Sequence, residues 1–224
     1  MEYENGQEYE GNWSSGVWYG YGKLVYGENN YYAGYFLNGL FCGTGLRKWP
    51  DGSNYEGVWE DGNRSGKGVY HNSVGNVIEG SWRDDELLGP GVESGVDGSR
   101  YDGLFAGGLR KGKCKYRDRY GRDHEGSWVS SHTLRDGSRY DGLWKDGKEH
   151  GFGKWSSANG DDVYEGQYCH GKREGRGCSS HADGSQYDGL FVGGLRQGQC
   201  KWLYQNGDVY EGEISCTCYA RLNF

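Results

Sequence analysis

Proline is almost missing from this chain, with two residues in 224. No stretch is rich in alanine, leucine and glutamate either, so almost no helix signal remains. No apolar run approaches the roughly 18 residues of a membrane-spanning helix, and no signal peptide follows Met1. Basic residues are outnumbered, 25 against 32 acidic, for a net charge of −7. That balance disfavours nucleic-acid binding, which relies on neutralising phosphates. Hydrophobic residues make up only 34%, a level that ordinarily means disorder and that leaves no deep globular core. The seven cysteines are odd in number and lack framework spacing. They predict reduced thiols in a soluble, cytoplasmic protein, able to sit peripherally at a membrane or the cytoskeleton.

What the chain has instead is glycine, 44 residues, and 16% aromatics at fixed spacing. The stretch Asp51 to Gly75, DGSNYEGVWEDGNRSGKGVYHNSVG, contains the whole pattern. With the first aromatic as position 0, units start at Tyr9, Tyr32, Tyr55, Ile78, Tyr101 and His124, 23 apart. Tyr140 follows after 16, Tyr164 after 24, then Tyr187 and Tyr210 after 23. Position +2 is glycine in all ten units. Position +4 is Trp13, Phe36, Trp59, Trp82, Phe105, Trp128, Trp144, Tyr168 and Phe191, with Ile214 the exception. Such self-similarity marks a repeat architecture, in which each unit buries its face only with its neighbours' help.

Positions 0, +2 and +4 share one face of a strand, because side chains alternate with period two. Position +1, acidic in nine units, faces the other way. One aromatic face and one charged face predict an antiparallel sheet packed on one side. A second strand carries glycines at +11 and +13, such as Gly66 and Gly68, replaced at +13 by Cys114 and Cys200. Glycine in a strand admits a neighbouring ring, so the aromatic rows are expected to lie over both glycine rows. Asn-Gly, Asp-Gly and Gly-Gly pairs fall within units (Asn38-Gly39, Asp61-Gly62, Gly107-Gly108, Asp146-Gly147, Gly193-Gly194) and between them (Asn5-Gly6, Asp51-Gly52, Asp97-Gly98 and others), all read as equivalent hairpin tips.

The pattern YEGxWxxGxxxGxG resembles the MORN (membrane occupation and recognition nexus) repeat, across nearly the whole chain. The resemblance implies an all-β fold, one elongated, twisted antiparallel single sheet, a meander of about ten 23-residue β-hairpin repeats. At two strands per unit this is roughly 10 Å per unit. It also implies scaffolding, dimerisation, binding to anionic phosphoinositide lipids, or service as the regulatory module of a larger enzyme such as a lipid kinase. The structural ladder is then Tyr9, Trp13, Tyr32, Phe36, Tyr55, Trp59, Trp82, Tyr101, Phe105, Trp128, Tyr140, Trp144, Tyr164, Tyr187 and Phe191. Ile78, His124 and the two cysteines depart from the pattern.

The sixth unit is short: His124-Glu125-Gly126-Ser127-Trp128 runs through Val129–Arg135 straight into Asp136-Gly137 without its second strand. Losing a strand reverses everything after it, and a plain meander is expected to stop there, by a loop crossing back, a distorted strand, or a break. The chain accordingly divides into a first repeat segment (1–129), an irregular junction (130–135), a second segment (136–213) and a non-repeat tail (214–224). DGSQYDGLFVGGLRQGQCKW from Asp183 echoes DGSRYDGLFAGGLRKGKCKY from Asp97, an internal duplication. Unit two, with Tyr31, Tyr32, Tyr35 and Phe36, is the most aromatic and predicts a local exposed patch.

Basic residues collect after the hairpin tips: Arg64, Arg110, Lys111, Lys148, Lys172, Arg173 and Arg196. They form either a stripe for an anionic lipid or acidic partner, or cross-strand pairs with the acids. No catalytic site, cofactor or metal is expected. Cys169, His170, Cys178 and His181 lie close in sequence and Cys216 and Cys218 lie in the tail, but without zinc spacing. Cys114 and Cys200 read as buried filler beside Lys115 and Lys201, His150 as structural, and the Gly-x-Gly strings lack the helix that a phosphate loop needs. The expected partners are other proteins, a second copy of the chain or an anionic phospholipid surface, and no nucleic acid. The expected function is a non-enzymatic scaffold, with phosphoinositide membrane binding through the basic stripe as the alternative.

Overall fold

The structure is a computed structural model, which describes residues 6–214. The described residues form strands and turns without a helix, and so contain no helix able to cross a membrane. The strands are β1 (Glu8–Ser14), β2 (Val17–Gly27), β3 (Asn30–Leu37), β4 (Leu40–Lys48), β5 (Asn54–Glu60), β6 (Asn63–His71), β7 (Val77–Arg83), β8 (Glu86–Ser94) and β9 (Arg100–Ala106). There follow β10 (Leu109–Arg117), β11 (Asp123–Thr133), β12 (Arg139–Lys145), β13 (Lys148–Ser156), β14 (Val163–Cys169), β15 (Lys172–Ser180), β16 (Gln186–Val192), β17 (Leu195–Leu203) and β18 (Val209–Ile214). The fold is all-β, a hairpin meander in which consecutive strands pair antiparallel. It divides into two compact units, residues 1–110 with 116–122, and 111–115 with 123–224. The first is built on β1–β9 and the second on β11–β18, with β10 divided between them. The tail pair Cys216 and Cys218 and most of the 214–224 segment lie outside the described residues.

Tyrosine over glycine is the repeated act of packing. In β5–β6 Tyr55 stands opposite Tyr70, and Gly57 opposite Gly68. The Tyr55 ring lies across the glycine pair: a Cβ on Gly57 would come within 2.5 Å of its hydroxyl oxygen and 2.6 Å of the Gly68 Cα. Tyr32, Tyr55, Tyr101, Tyr140 and Tyr164 are completely buried this way. Tyr32, Tyr55, Tyr140 and Tyr164 are each flanked edge-to-face by their own position +4 aromatic and by that of the next unit, as Tyr55 is by Trp59 at 5.2 Å and Trp82 at 5.4 Å. Such edge contacts add about 0.5–1.5 kcal/mol beyond area burial.

The +11 glycines do something else. The register of β5–β6 slips between Gly57 and Val58, and Gly66 sits at the slip with φ 57°. This is a β-bulge, and its left-handed residue favours glycine. The expectation that the aromatic row covers both glycine rows therefore holds at +13 and fails at +11. The bulge leaves the position +3 carbonyl off the ladder, and the tyrosine hydroxyl takes it over: Tyr32 donates to Tyr35 O at 3.0 Å, Tyr140 to Leu143 O at 3.1 Å and Tyr187 to Leu190 O at 2.9 Å. Burial pushes the Tyr55 hydroxyl up to about 12 despite the nearby Arg64 guanidinium, so it stays a donor. Tyr140→Phe leaves a buried carbonyl unpaired, and is expected to cost about 1–2 kcal/mol in urea denaturation. The same change at Tyr210, an exposed residue, should cost less.

The two kinds of turn are also distinct. Within units both central residues have positive φ, 48° and 86° at Asp61-Gly62 and 50° and 83° at His170-Gly171, as a two-residue hairpin requires. At the Asp-Gly turns between units only the glycine does, and the aspartate instead caps the turn with its side chain. Asp51 Oδ1 accepts from Ser53 N at 2.9 Å and Ser53 Oγ at 2.6 Å, which holds its carboxyl below the usual range. The buried Ser53, Ser138 and Ser185 all follow such an Asp-Gly pair. The tips are laced together as well: Gly62 N donates to Phe41 O, Gly108 N to Leu87 O and Gly171 N to Glu149 O, each bridging one unit to the preceding one.

At the short sixth unit the meander continues, against expectation. β11 is a single eleven-residue strand that turns at Asp136-Gly137 and pairs with β12, with a bulge between Val129 and His132 and φ 54° at Ser131. The missing strand changes something else, the face. Trp128 stands opposite Leu143, not opposite a ladder residue, and its Nε1 donates to Asp141 Oδ1 at 2.5 Å. Leu143 and Phe152 are buried on this side, 1% and 4% exposed. Tyr140, Tyr164, Tyr168, Tyr187 and Phe191 form a separate cluster on the other side of the same strands. Two successive first strands run in opposite directions, so their aromatic rows fall on opposite faces.

Candidate functional site

The arginines of the proposed stripe occupy one slot of the repeat, position +9. Register places it opposite the position +4 aromatic, as Arg64 opposite Trp59 and Arg173 opposite Tyr168. It therefore points to the aromatic face. In the first two units the slot holds Trp18 and Phe41, which stack on Tyr9 and Tyr32 at 5.2 and 3.7 Å. Arginine fills the same place with its flat guanidinium. Arg64 lies 4.4 Å from the Trp82 ring centre, Arg173 4.5 Å from Tyr164, Arg196 4.4 Å from Trp202 and Arg110 5.0 Å from Tyr101. Cation–π stacking of this kind is worth about 0.5–2 kcal/mol.

Most of these charges are also answered by acids or acceptors. Arg64 Nε meets Asp85 Oδ1 at 3.0 Å and Arg110 Nε meets Glu93 Oε2 at 2.9 Å. Arg196 donates to Ser179 Oγ at 3.1 Å and stands 2.6 Å from His181 Nε2. With the arginine donating, that nitrogen accepts and Nδ1 carries the proton toward Asp162, 3.3 Å away. The seven basic residues thus separate into two sets. Arg64, Arg110, Arg173 and Arg196 are half-buried in the aromatic row, while Lys111, Lys148 and Lys172 are exposed.

The opposite face of the first unit carries an open apolar cluster over β2–β4. Tyr21 stands opposite Tyr35, with ring centres 5.6 Å apart, and Leu37 opposite Leu40. With Tyr19 these side chains are between 47% and 58% exposed. Tyr21 and Tyr35 hold positions +12 and +3, the same positions as the buried Phe152 and Leu143 of the second unit. In the second unit Trp128 covers that face; in the first these positions face solvent. Aromatic density marks unit two in the sequence, whereas Tyr19, Leu37 and Leu40 owe their facing to the bulge register.

Of the ladder residues, Trp13 is 41% exposed and the others are buried or half-buried. Cys114 and Cys200 are buried, and burial pushes the Cys200 thiol up, away from nucleophilic use. His181 is engaged by Asp162 and Arg196 and does not join Cys169 and His170. His150 comes close to that pair instead, its ring 5.2 Å from His170. Burial first, and then the neighbouring His170, hold the His150 imidazole below its usual range.

The MORN repeat model matches residues 9–31, 32–54, 55–77, 79–100, 101–119, 140–162, 164–186 and 187–209. It passes over the short unit at His124 and the last unit start at Tyr210. Among solved structures, the TCP domain of SAS-4 in complex with a proline-rich motif of Ana2, from Drosophila melanogaster, is 10% identical over 86% of this chain and 84% of that one, with a TM-score of 0.31. The wild-type TCP10 domain of Danio rerio CPAP is 12% identical over 96% and 99%, with a TM-score of 0.26. At those scores neither likeness carries an argument about this chain.

Proposed function

The chain belongs to the MORN repeat family, and from that premise we propose that it is a non-enzymatic scaffold that binds protein partners through the open face of β2–β4. The observation that carries this is the uncovered cluster of Tyr19, Tyr21, Tyr35, Leu37 and Leu40. Contiguous exposed aromatic and aliphatic groups mark interaction surfaces, and tyrosine supplies large contact area at low entropy cost. The counterparts of Tyr21 and Tyr35 in the second unit, Phe152 and Leu143, are buried, so the repeat itself supplies an example of how this part of the face is covered. The phosphoinositide reading ranks below it. Four of the seven basic residues spend their charge inside the aromatic row, which leaves three lysines to meet headgroups.

The test compares the wild-type chain with Tyr21→Lys/Tyr35→Lys, both positions being exposed and outside the core. Self-association in sedimentation equilibrium, or a set of proteins captured by proximity labelling, should weaken by about tenfold or more in the double variant. Two results together would overturn the proposal: identical behaviour of the two chains, and co-sedimentation with phosphoinositide liposomes that persists at physiological salt and is lost in Lys111→Glu/Lys148→Glu/Lys172→Glu.

A further inference from the structure

We infer that His150, Cys169 and His170 form a binding site for a borderline-soft divalent cation, Zn2+ by its chemistry. One ring nitrogen of each histidine and the Cys169 sulfur lie within 4.8 Å of one another. The backbone dictates the meeting. Gly151 pairs with Tyr168 across β13–β14, so the next pair outward sets His150 opposite Cys169 on one face. His170 follows at the hairpin tip with φ 50°, where other units carry asparagine, aspartate, serine or glycine. The hydrogen bond from Gly171 N to Glu149 O, 2.9 Å, fastens that tip beside β13.

A second observation points to a ligand. His150 Nδ1 is buried without a hydrogen-bond partner. A lone buried nitrogen is costly unless something satisfies it, and a neutral imidazole beside a second imidazole and a thiol offers the nitrogen–sulfur donors that zinc takes. Zinc bonds of about 2.0–2.3 Å hold their donors closer together than the 4.8 Å limit within which these three lie. Cys169 and His170 are both exposed, so their side chains can adjust to close on the ion. Three protein donors leave a fourth position for water. Binding displaces the thiol proton to solvent and forms the metal–thiolate bond, with no change of oxidation state.

Cobalt titration of the full chain under reducing conditions tests this, since Co2+ takes zinc sites and reports its ligands. A thiolate-to-cobalt charge-transfer band should saturate at one equivalent and vanish on addition of Zn2+. Cys169→Ser should abolish the band, and Cys178→Ser should leave it. His170→Asn should weaken binding by about tenfold or more; asparagine tolerates the positive φ at that tip, and both altered side chains are exposed, so the fold stays intact. His150→Ala should weaken it similarly. A missing band, a band that survives Cys169→Ser, or histidine variants that bind like wild type would each overturn the site.

Discussion

Gly57→Ala is expected to destabilise the protein by about 3 kcal/mol, the upper range for overpacking a tight site. The added methyl has nowhere to go. It would lie 2.5 Å from the Tyr55 hydroxyl oxygen and 2.6 Å from the Gly68 Cα, and the second of these is backbone. Relief requires either expelling a fully buried ring or parting two paired strands. Cys114 and Cys200 show that position +13 accepts a side chain when a glycine faces it, as Gly189 faces Cys200. Position +2 has no such replacement in any of the ten units, and Gly189→Ala, which would place its methyl 2.5 Å from the Tyr187 hydroxyl oxygen and 2.6 Å from the Cys200 Cβ, should behave like Gly57→Ala. Gly62→Asn supplies the contrast. That glycine sits at a tip with φ 86° and open space around it, so a residue tolerant of the left-handed region should cost only a few tenths of a kcal/mol. Urea midpoints for the three variants, with far-UV circular dichroism as the probe, check the ranking; a Gly57→Ala midpoint equal to that of Gly62→Asn would mean the ring does not need the glycine.

Arg64→Glu should cost about 2–3 kcal/mol, while Arg64→Phe should cost less than about 1 kcal/mol. A charge row on a solvated face predicts the opposite order, with little penalty for reversal and some for an exposed phenyl. The slot decides. Arg64 is flat against Trp82 and fixed by Asp85, both through its side chain at 3.0 Å and through Nη2 to the Asp85 carbonyl at 2.6 Å. Glutamate there would bring a second carboxylate to Asp85 and negative charge to the ring faces. Phenylalanine restores what Phe41 already does one unit earlier, stacking on Tyr32 with planes 8° apart. Lys67→Glu, exposed on the neighbouring β6 position, is the surface control and should change stability by less than about 0.5 kcal/mol. Equal losses for Arg64→Glu and Lys67→Glu would return the arginines to the list of free surface charges.

Much of this fold was legible because one residue type served one purpose. Tyr55, Gly57 and Trp59 alternate with period two and declare their face, and the antiparallel meander follows from the spacing of Asp61-Gly62. Reading faltered where one residue type serves several purposes. Gly66 and Gly68 look alike in sequence, yet the first supplies a left-handed bulge and the second supplies room. Asp51-Gly52 and Asp61-Gly62 look alike, yet one aspartate caps a turn with its carboxylate and the other sits in the left-handed region itself. Arg64 shows in the sequence as a charge, while its place in the repeat belongs to planar groups, a fact visible only once Trp18 and Phe41 are aligned to it. The cluster of His150 with Cys169 and His170 is not legible in the sequence because its members come from two units and meet through strand register. The apolar patch was half-visible, since Tyr35 announces itself, whereas the partners that complete it lie on β2 and β4.

The turned-over aromatic row at β11–β12 gives the repeat a parity. Duplication or loss of a whole hairpin is silent with respect to facing, because the strand direction is restored after every two strands. A single-strand event is not silent: every ring downstream changes sides, although no residue in the downstream units has been altered. Growth in steps of two extends one surface, and one step of one presents a second surface from the same template. Within the second unit this has put Trp128, Leu143 and Phe152 on one side and the Tyr140–Phe191 cluster on the other. Recombination that counts strands, rather than mutation that changes residues, is thus a sufficient route to a new binding face.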